Sequence, residues 1–196
     1  VNAALQMALG IEYIHAGHHV HGRLSSASFY FDAGGTTIRL LLGNVLHADN
    51  ESKQLEAAAS CSYPSNLRWA PPELVPRPGQ DQPLGVPTAA ADVYGFGVIL
   101  WELYAAAGVP HSSAYPTDDV LFEAIVAQPG GSTLVLTAPV WGTETDQVEM
   151  LDDIFRACVH PSKHTRPWIS NVASIFLDEG HDLWEKDRTQ LHFVQH

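Results

Sequence analysis

Little in this sequence supports covalent or metal stapling. Only two of its 196 residues are cysteines, Cys61 and Cys158, far apart and without the paired spacing of a zinc site or a disulfide framework. That usage implies a reducing intracellular compartment, the cytoplasm before an organelle. Long hydrophobic runs are also missing: the most apolar stretch, 98–101, is closed by Glu102, far short of the ~20 residues that cross a bilayer. Basic residues are scarce, 10 against 22 acidic ones, for a formal charge of -12. A field of that sign repels phosphate backbones and anionic headgroups, which argues against nucleic acid and membrane as partners. The 45% of hydrophobic residues is enough for one ordinary core.

The apolar spacing places helices in order. Residues 2–15 carry Ala4, Leu5, Ala8, Ile11 and Ile14 on one face. Phe29, Tyr30 and Phe31, then Ile38 to Leu42, flank Asp32-Ala33-Gly34-Gly35 and read as a hairpin. Residues 44–69 are small and polar and read as a long surface loop, followed by a second irregular, Pro-rich stretch over 71–87. Thr88 is placed to cap a helix apolar nearly all round, with Val93, Phe96, Ile99, Leu100 and Leu103, which marks a helix buried mid-domain. Further helices are expected over 118–128, 147–159 and 169–177. The division is therefore a domain over 1–177 and a charged, His-rich tail over 178–196, anchored by Trp184 and Phe193.

Three motifs carry a resemblance to a known family. Trp69-Ala70-Pro71-Pro72-Glu73-Leu74 resembles the Ala-Pro-Glu signature that closes a kinase activation segment. The run from Asp92 to Leu103, Asp-Val-Tyr-Gly-Phe-Gly-Val-Ile-Leu-Trp-Glu-Leu, is similar to the central helix of tyrosine-kinase-like proteins. Arg166-Pro167 resembles the arginine that pairs with the Ala-Pro-Glu glutamate. Across 3–176 the order of elements is similar to the C-terminal lobe of a protein kinase, so the implied fold is α+β, mainly α-helical, with a small β-hairpin and no N-terminal lobe. The resemblance implies structural roles for His21, Glu73, Asp92 and Arg166: a largely buried Glu73–Arg166 ion pair, and an Asp92 carboxylate capping backbone amides of the turn from His21 to Arg23.

The phosphate-transfer positions differ. Active members run His-Arg-Asp-Leu in the catalytic loop, with Asn five residues after the Asp. Here His21-Gly22-Arg23-Leu24-Ser25-Ser26-Ala27-Ser28 puts Arg23 at the Asp and Ser28 at the Asn, and Leu41-Leu42-Gly43 stands in place of the metal-binding Asp-Phe-Gly. A guanidinium accepts no proton near neutral pH, and a leucine offers magnesium no oxygen. Gly34-Gly35 lacks the Gly-x-Gly-x-x-Gly spacing of a phosphate loop. On this reading the chain is not an enzyme. It is a pseudokinase lobe without nucleotide, cofactor or metal, serving as an interaction or scaffolding subunit of a larger protein assembly, with Leu41, Leu42, Trp184 and Phe193 as candidate partner contacts. Two alternatives stay open: a regulatory domain similar to the kinase homology domains of receptor guanylyl cyclases, and a weakly active or nucleotide-binding kinase completed by an N-terminal lobe.

Other residue groups have plain readings. His15, His18, His19 and His21 invite a metal, but their spacing crosses a helix end with no cysteine among them. Ser52, Ser60, Ser62 and Tyr63 lie where kinases carry regulatory phosphates, with Arg23 and Arg68 as candidate phosphate partners; unmodified loop residues are the simpler reading. Trp69, Trp101, Trp141 and Trp168 read mostly as core or anchor residues.

Overall fold

The computed structural model describes residues 2–42, 46–47, 66–75, 85–104, 110–111, 114–127 and 145–184. The order of elements is α1 (Asn2–Ala16), β1 (His19–Val20), β2 (Phe29–Phe31), β3 (Ile38–Leu40), β4 (Leu46–His47), α2 (Ala89–Tyr104), α3 (Asp118–Val126), α4 (Thr145–Cys158) and α5 (Ile169–Trp184). Among the described residues the chain is mostly helical, with two small antiparallel sheets.

The expected hairpin forms with Phe29 opposite Leu40 and Phe31 opposite Ile38. Its second strand stops at Leu40, and its turn closes on Asp32, whose carboxylate accepts the amides of Thr36 and Thr37. Those bonds favour the charged carboxylate and hold its pKa below the usual value. The second sheet, β1 with β4, has no counterpart in the sequence reading: it pairs His19 with His47 and Val20 with Leu46. Strands of two residues are too short to show alternation, so the segment 44–69 read as continuous loop contains a strand, and Leu67–Trp69 forms a 3-10 turn.

Helix α2 is the centre of the core, as its near-continuous apolar sequence requires. Phe96, Val98 and Leu100 are fully buried, and Phe96 meets Phe176 of α5 edge to face at 6.4 Å and 75°. Helix α1 packs chiefly on α5 and β3, and α2 on α4. Gly97 permits that second approach, since a Cβ there would lie 2.7 Å from Cβ of Cys158 and 2.9 Å from Cγ1 of Val159. Cys158 is fully buried, and burial pushes its thiol up to about 12, so it behaves as a small apolar side chain. A smaller cluster of Leu67, Ala70, Val75 and Leu121 docks α3 onto the segment before α2.

Two helix ends differ from the sequence reading. The hydroxyl of Thr88 makes no hydrogen bond among the described residues; it is the carbonyl of Thr88 that accepts the amides of Ala91 and Asp92. Thr117 does cap α3, accepting from the amide of Val120 at 3.3 Å. Helix α5 runs past Leu177 to Trp184 without a break: 178–184 holds no proline, and its one weak helix former, Gly180, keeps its amide donor.

Candidate functional site: the loop after the first helix

The site is built where α1 ends. Gly22 adopts a left-handed φ of 74°, a conformation costly to a residue with a Cβ. The turn it makes turns the amides of His21 and Gly22 toward α2. There Asp92, in the first helical turn and 1% exposed, receives both: His21 N donates to Oδ2 at 2.8 Å and Gly22 N to Oδ1 at 2.8 Å. A third donor was not legible in the sequence. His15, in the last turn of α1, places Nε2 2.9 Å from Asp92 Oδ2, and a carboxylate acceptor requires the proton on that nitrogen. The buried charge is thus surrounded by three donors and lies near the positive end of a helix.

His21 links this frame to the next segment. Its Nδ1 accepts the amide of Arg23 at 3.4 Å, so Nε2 carries the proton and donates to the carbonyl of Leu41 at 3.1 Å. The amide of Leu41 in turn donates to the carbonyl of Ser28 at 2.8 Å. The fold therefore brings His21, Arg23, Ser28 and Leu41 into one hydrogen-bonded unit. Within it the Ser28 hydroxyl accepts the amide of Ser25 at 3.1 Å and fixes the loop. Leu41 joins this unit through its backbone alone, and Leu41 and its neighbour Leu42 are 49% and 52% exposed.

A second buried charge closes the far side. Arg166 has no side-chain exposure, and every N–H of its guanidinium is used: Nη1 and Nη2 donate to Glu73 at 2.6 and 2.9 Å, and the rest to the carbonyls of Ala90, His160 and Pro161. The group also lies 5.0 Å from the centre of the Tyr94 ring, whose phenol burial pushes up to about 12. Nearly three turns further along α2, Glu102 accepts from Trp69 Nε1 at 2.6 Å and Ser26 at 3.2 Å, while burial raises its pKa.

The model of the protein tyrosine and serine/threonine kinase family matches residues 1–176. The chain belongs to the protein kinase family. This kinase chain is similar to the human lymphokine-activated killer T-cell-originated protein kinase, 28% identical over 120 residues, 61% of this chain and 35% of the relative. It is also similar to the tyrosine-protein kinase receptor svh-2 of Caenorhabditis elegans, 24% identical over 188 residues, 96% of this chain and 16% of that protein. The kinase chain therefore spans well under half the length of either relative. These findings overturn one expectation: the substitutions at Arg23, Ser28 and Leu41 led to the reading that the chain is not an enzyme, whereas family and relatives point to a protein kinase. Side-chain chemistry at three positions says what those positions cannot do; it does not describe the whole phosphotransfer centre.

Other expectations shift with the geometry. Arg68, offered as a phosphate partner, is 7% exposed and committed to Asp118 at 2.7 Å and to the carbonyls of Pro110 and Tyr115. It ties α3 to the core. Trp168, grouped with tryptophans read mostly as core or anchor residues, is 71% exposed. Among the described residues no group of three or more His, Cys, Asp or Glu could hold a metal ion, and no helix is long and apolar enough to cross a membrane. Trp184 ends α5, while Phe193, Ser52, Ser60, Ser62 and Tyr63 lie outside the described residues.

Proposed function

We propose that this chain supplies the helical, C-terminal lobe of a protein-kinase domain and that the lobe works as a docking scaffold for protein partners within a larger assembly. The scaffold role stands beside phosphotransfer, not in place of it. The observation that carries it is the exposure of four large apolar side chains on and just after one hairpin, Tyr30, Phe31, Leu41 and Leu42, from 44% to 61% exposed, of which Tyr30 and Phe31 also line a groove of about 200 Å³ with Met7, Phe29, Ile99 and Leu103. Large apolar side chains exposed this close together in one short segment mark an interaction site. Burying two half-exposed leucines contributes on the order of 1 kcal/mol each, which adds to the other contacts a partner makes. The test is whether Leu41→Asp with Leu42→Asp abolishes association while leaving thermal unfolding unchanged.

A second reading is favoured by the intact frame around Asp92. The amides of His21 and Gly22 are fixed as an active catalytic loop requires, so an N-terminal lobe supplied by neighbouring sequence would complete a nucleotide site with weak phosphotransfer. On this reading millimolar ATP with magnesium raises the melting temperature of a chain that includes that lobe, and radiolabelled phosphate appears on a protein substrate. No shift and no label would remove the reading and leave docking alone.

A further inference from the structure

The hairpin carries an exposed pair of side chains with complementary chemistry. Its ladder bonds, from the amide of Leu41 to the carbonyl of Ser28 and from the amide of Asp32 to the carbonyl of Thr37, set Tyr30 directly opposite Arg39. Opposed residues of an antiparallel pair leave the sheet on one face, with Cβ atoms ~5 Å apart, and alternation puts Leu41 on that face beside Arg39. Tyr30 is 44% exposed, and Arg39 is exposed as well. Among the described residues the phenol of Tyr30 makes no hydrogen bond and the guanidinium of Arg39 no ion pair. The charge of Arg39 acts on the Asp32 carboxylate only from beyond ion-pair range, and Asp32 Oδ1 is already taken by the amides of Thr36 and Thr37.

The other exposed tyrosine among the described residues is Tyr13, 79% exposed but inside α1, where its backbone is committed to helical bonds. Tyr30 lies on extended chain. Its strand pairs with β3 alone in a two-stranded sheet, so the second edge of β2 is open among the described residues, and an extended segment with an open edge is a form that a peptide cleft can grip. A phosphate on the phenol oxygen adds a charge of about −1.5 to −2 at neutral pH and three acceptor oxygens, which a forked guanidinium matches with paired N–H donors.

We propose that Tyr30 is a phosphorylation site, that Arg39 clamps its phosphate, and that the modification closes the docking face; this last part rests on the docking reading. The donor is a nucleoside triphosphate used by a separate tyrosine kinase. The bond from Tyr30 Oη to the terminal phosphorus forms, the bond from that phosphorus to the bridging oxygen breaks, nucleoside diphosphate leaves, and the phenol proton passes to the enzyme's base. Glu102 lines the same groove as Tyr30 and repels a phosphate turned inward, so Arg39 is the group that holds it. A partner's apolar surface would then have to desolvate an ion pair beside Leu41, which costs more than burying an aromatic ring.

Three measurements on the whole chain test this. Phosphorus NMR titration of the chain with phosphotyrosine introduced at position 30 shows the second ionisation of the phosphate below its usual ~6, and Arg39→Gln returns it there; equal titration in both chains overturns the clamp. Incubation of the unmodified chain with a soluble tyrosine kinase domain and magnesium ATP, followed by peptide mapping, finds phosphate on Tyr30; its absence from Tyr30 overturns the site. In sedimentation equilibrium the phosphorylated chain associates at least about tenfold more weakly than the parent, with unchanged helical circular dichroism. Equal association of the two overturns the switch and leaves docking standing. A parent that does not associate overturns the docking reading and the switch together, while the titration and the mapping still decide the site.

Discussion

Replacing Glu73 with alanine lowers the stability of the chain by about 3 to 5 kcal/mol, because it strands a guanidinium that has no exposure of its own. For a chain of this size that corresponds to a fall in melting temperature of roughly 6 to 20 °C. Arg166→Met costs at least as much. It removes the carboxylate's partner and also takes the donor from the carbonyls of His160 and Pro161, while the Ala90 carbonyl keeps its bond within α2. A buried ion pair is often replaced by apolar residues at no net loss; this one is not, since Glu73→Leu with Arg166→Met still takes the donor from the carbonyls of His160 and Pro161. Chemical denaturation of the two single variants and the double shows it. A double variant as stable as the parent would mean that those carbonyls find water and that the arginine serves the glutamate alone.

Asp92→Asn is expected to cost about 3 kcal/mol despite its matched shape. The carboxylate accepts at both oxygens, from Gly22 N at Oδ1 and from His21 N and His15 Nε2 at Oδ2. An amide offers one acceptor oxygen, so one backbone N–H then faces an NH₂ group. The loss falls on the turn first: amide exchange at His21 and Gly22 accelerates by a larger factor than at Phe96 or Leu100 in the same helix core. Equal acceleration at all four positions would show that Asp92 stabilises the fold as a whole and does not specifically hold the loop.

How much of this was legible in the sequence follows from the range of each interaction. Helices with an apolar stripe, such as α1 and α4, announce themselves within a dozen residues, and the hairpin around Asp32 to Gly35 does so through its turn chemistry. The β1–β4 sheet does not, because two residues on each side carry no period and their pairing is decided by how the intervening chain returns. Around Asp92 the carboxylate's two amide partners came from family resemblance, while His15 was missed: nothing local marks a histidine 77 positions away as a donor. Arg68 and Trp168 were exchanged in the same way. A long cation is expected at the surface and an indole inside, but Arg68 gains enough partners around α3 to be buried, and Trp168 stays exposed just before α5 while its neighbour Ile169 is the residue that enters the core. The three altered catalytic positions were legible at once; their consequence for activity was not, since the family match places the chain among kinases.

The docking role is tested most directly by sedimentation equilibrium of the purified chain against its Leu41→Asp, Leu42→Asp variant. The parent is expected to sediment as a species heavier than one chain, as exposed apolar faces pair in the absence of their partner, and the variant as a single chain with an unchanged melting curve. A parent that remains one chain at every concentration, with the variant indistinguishable from it, would contradict the account.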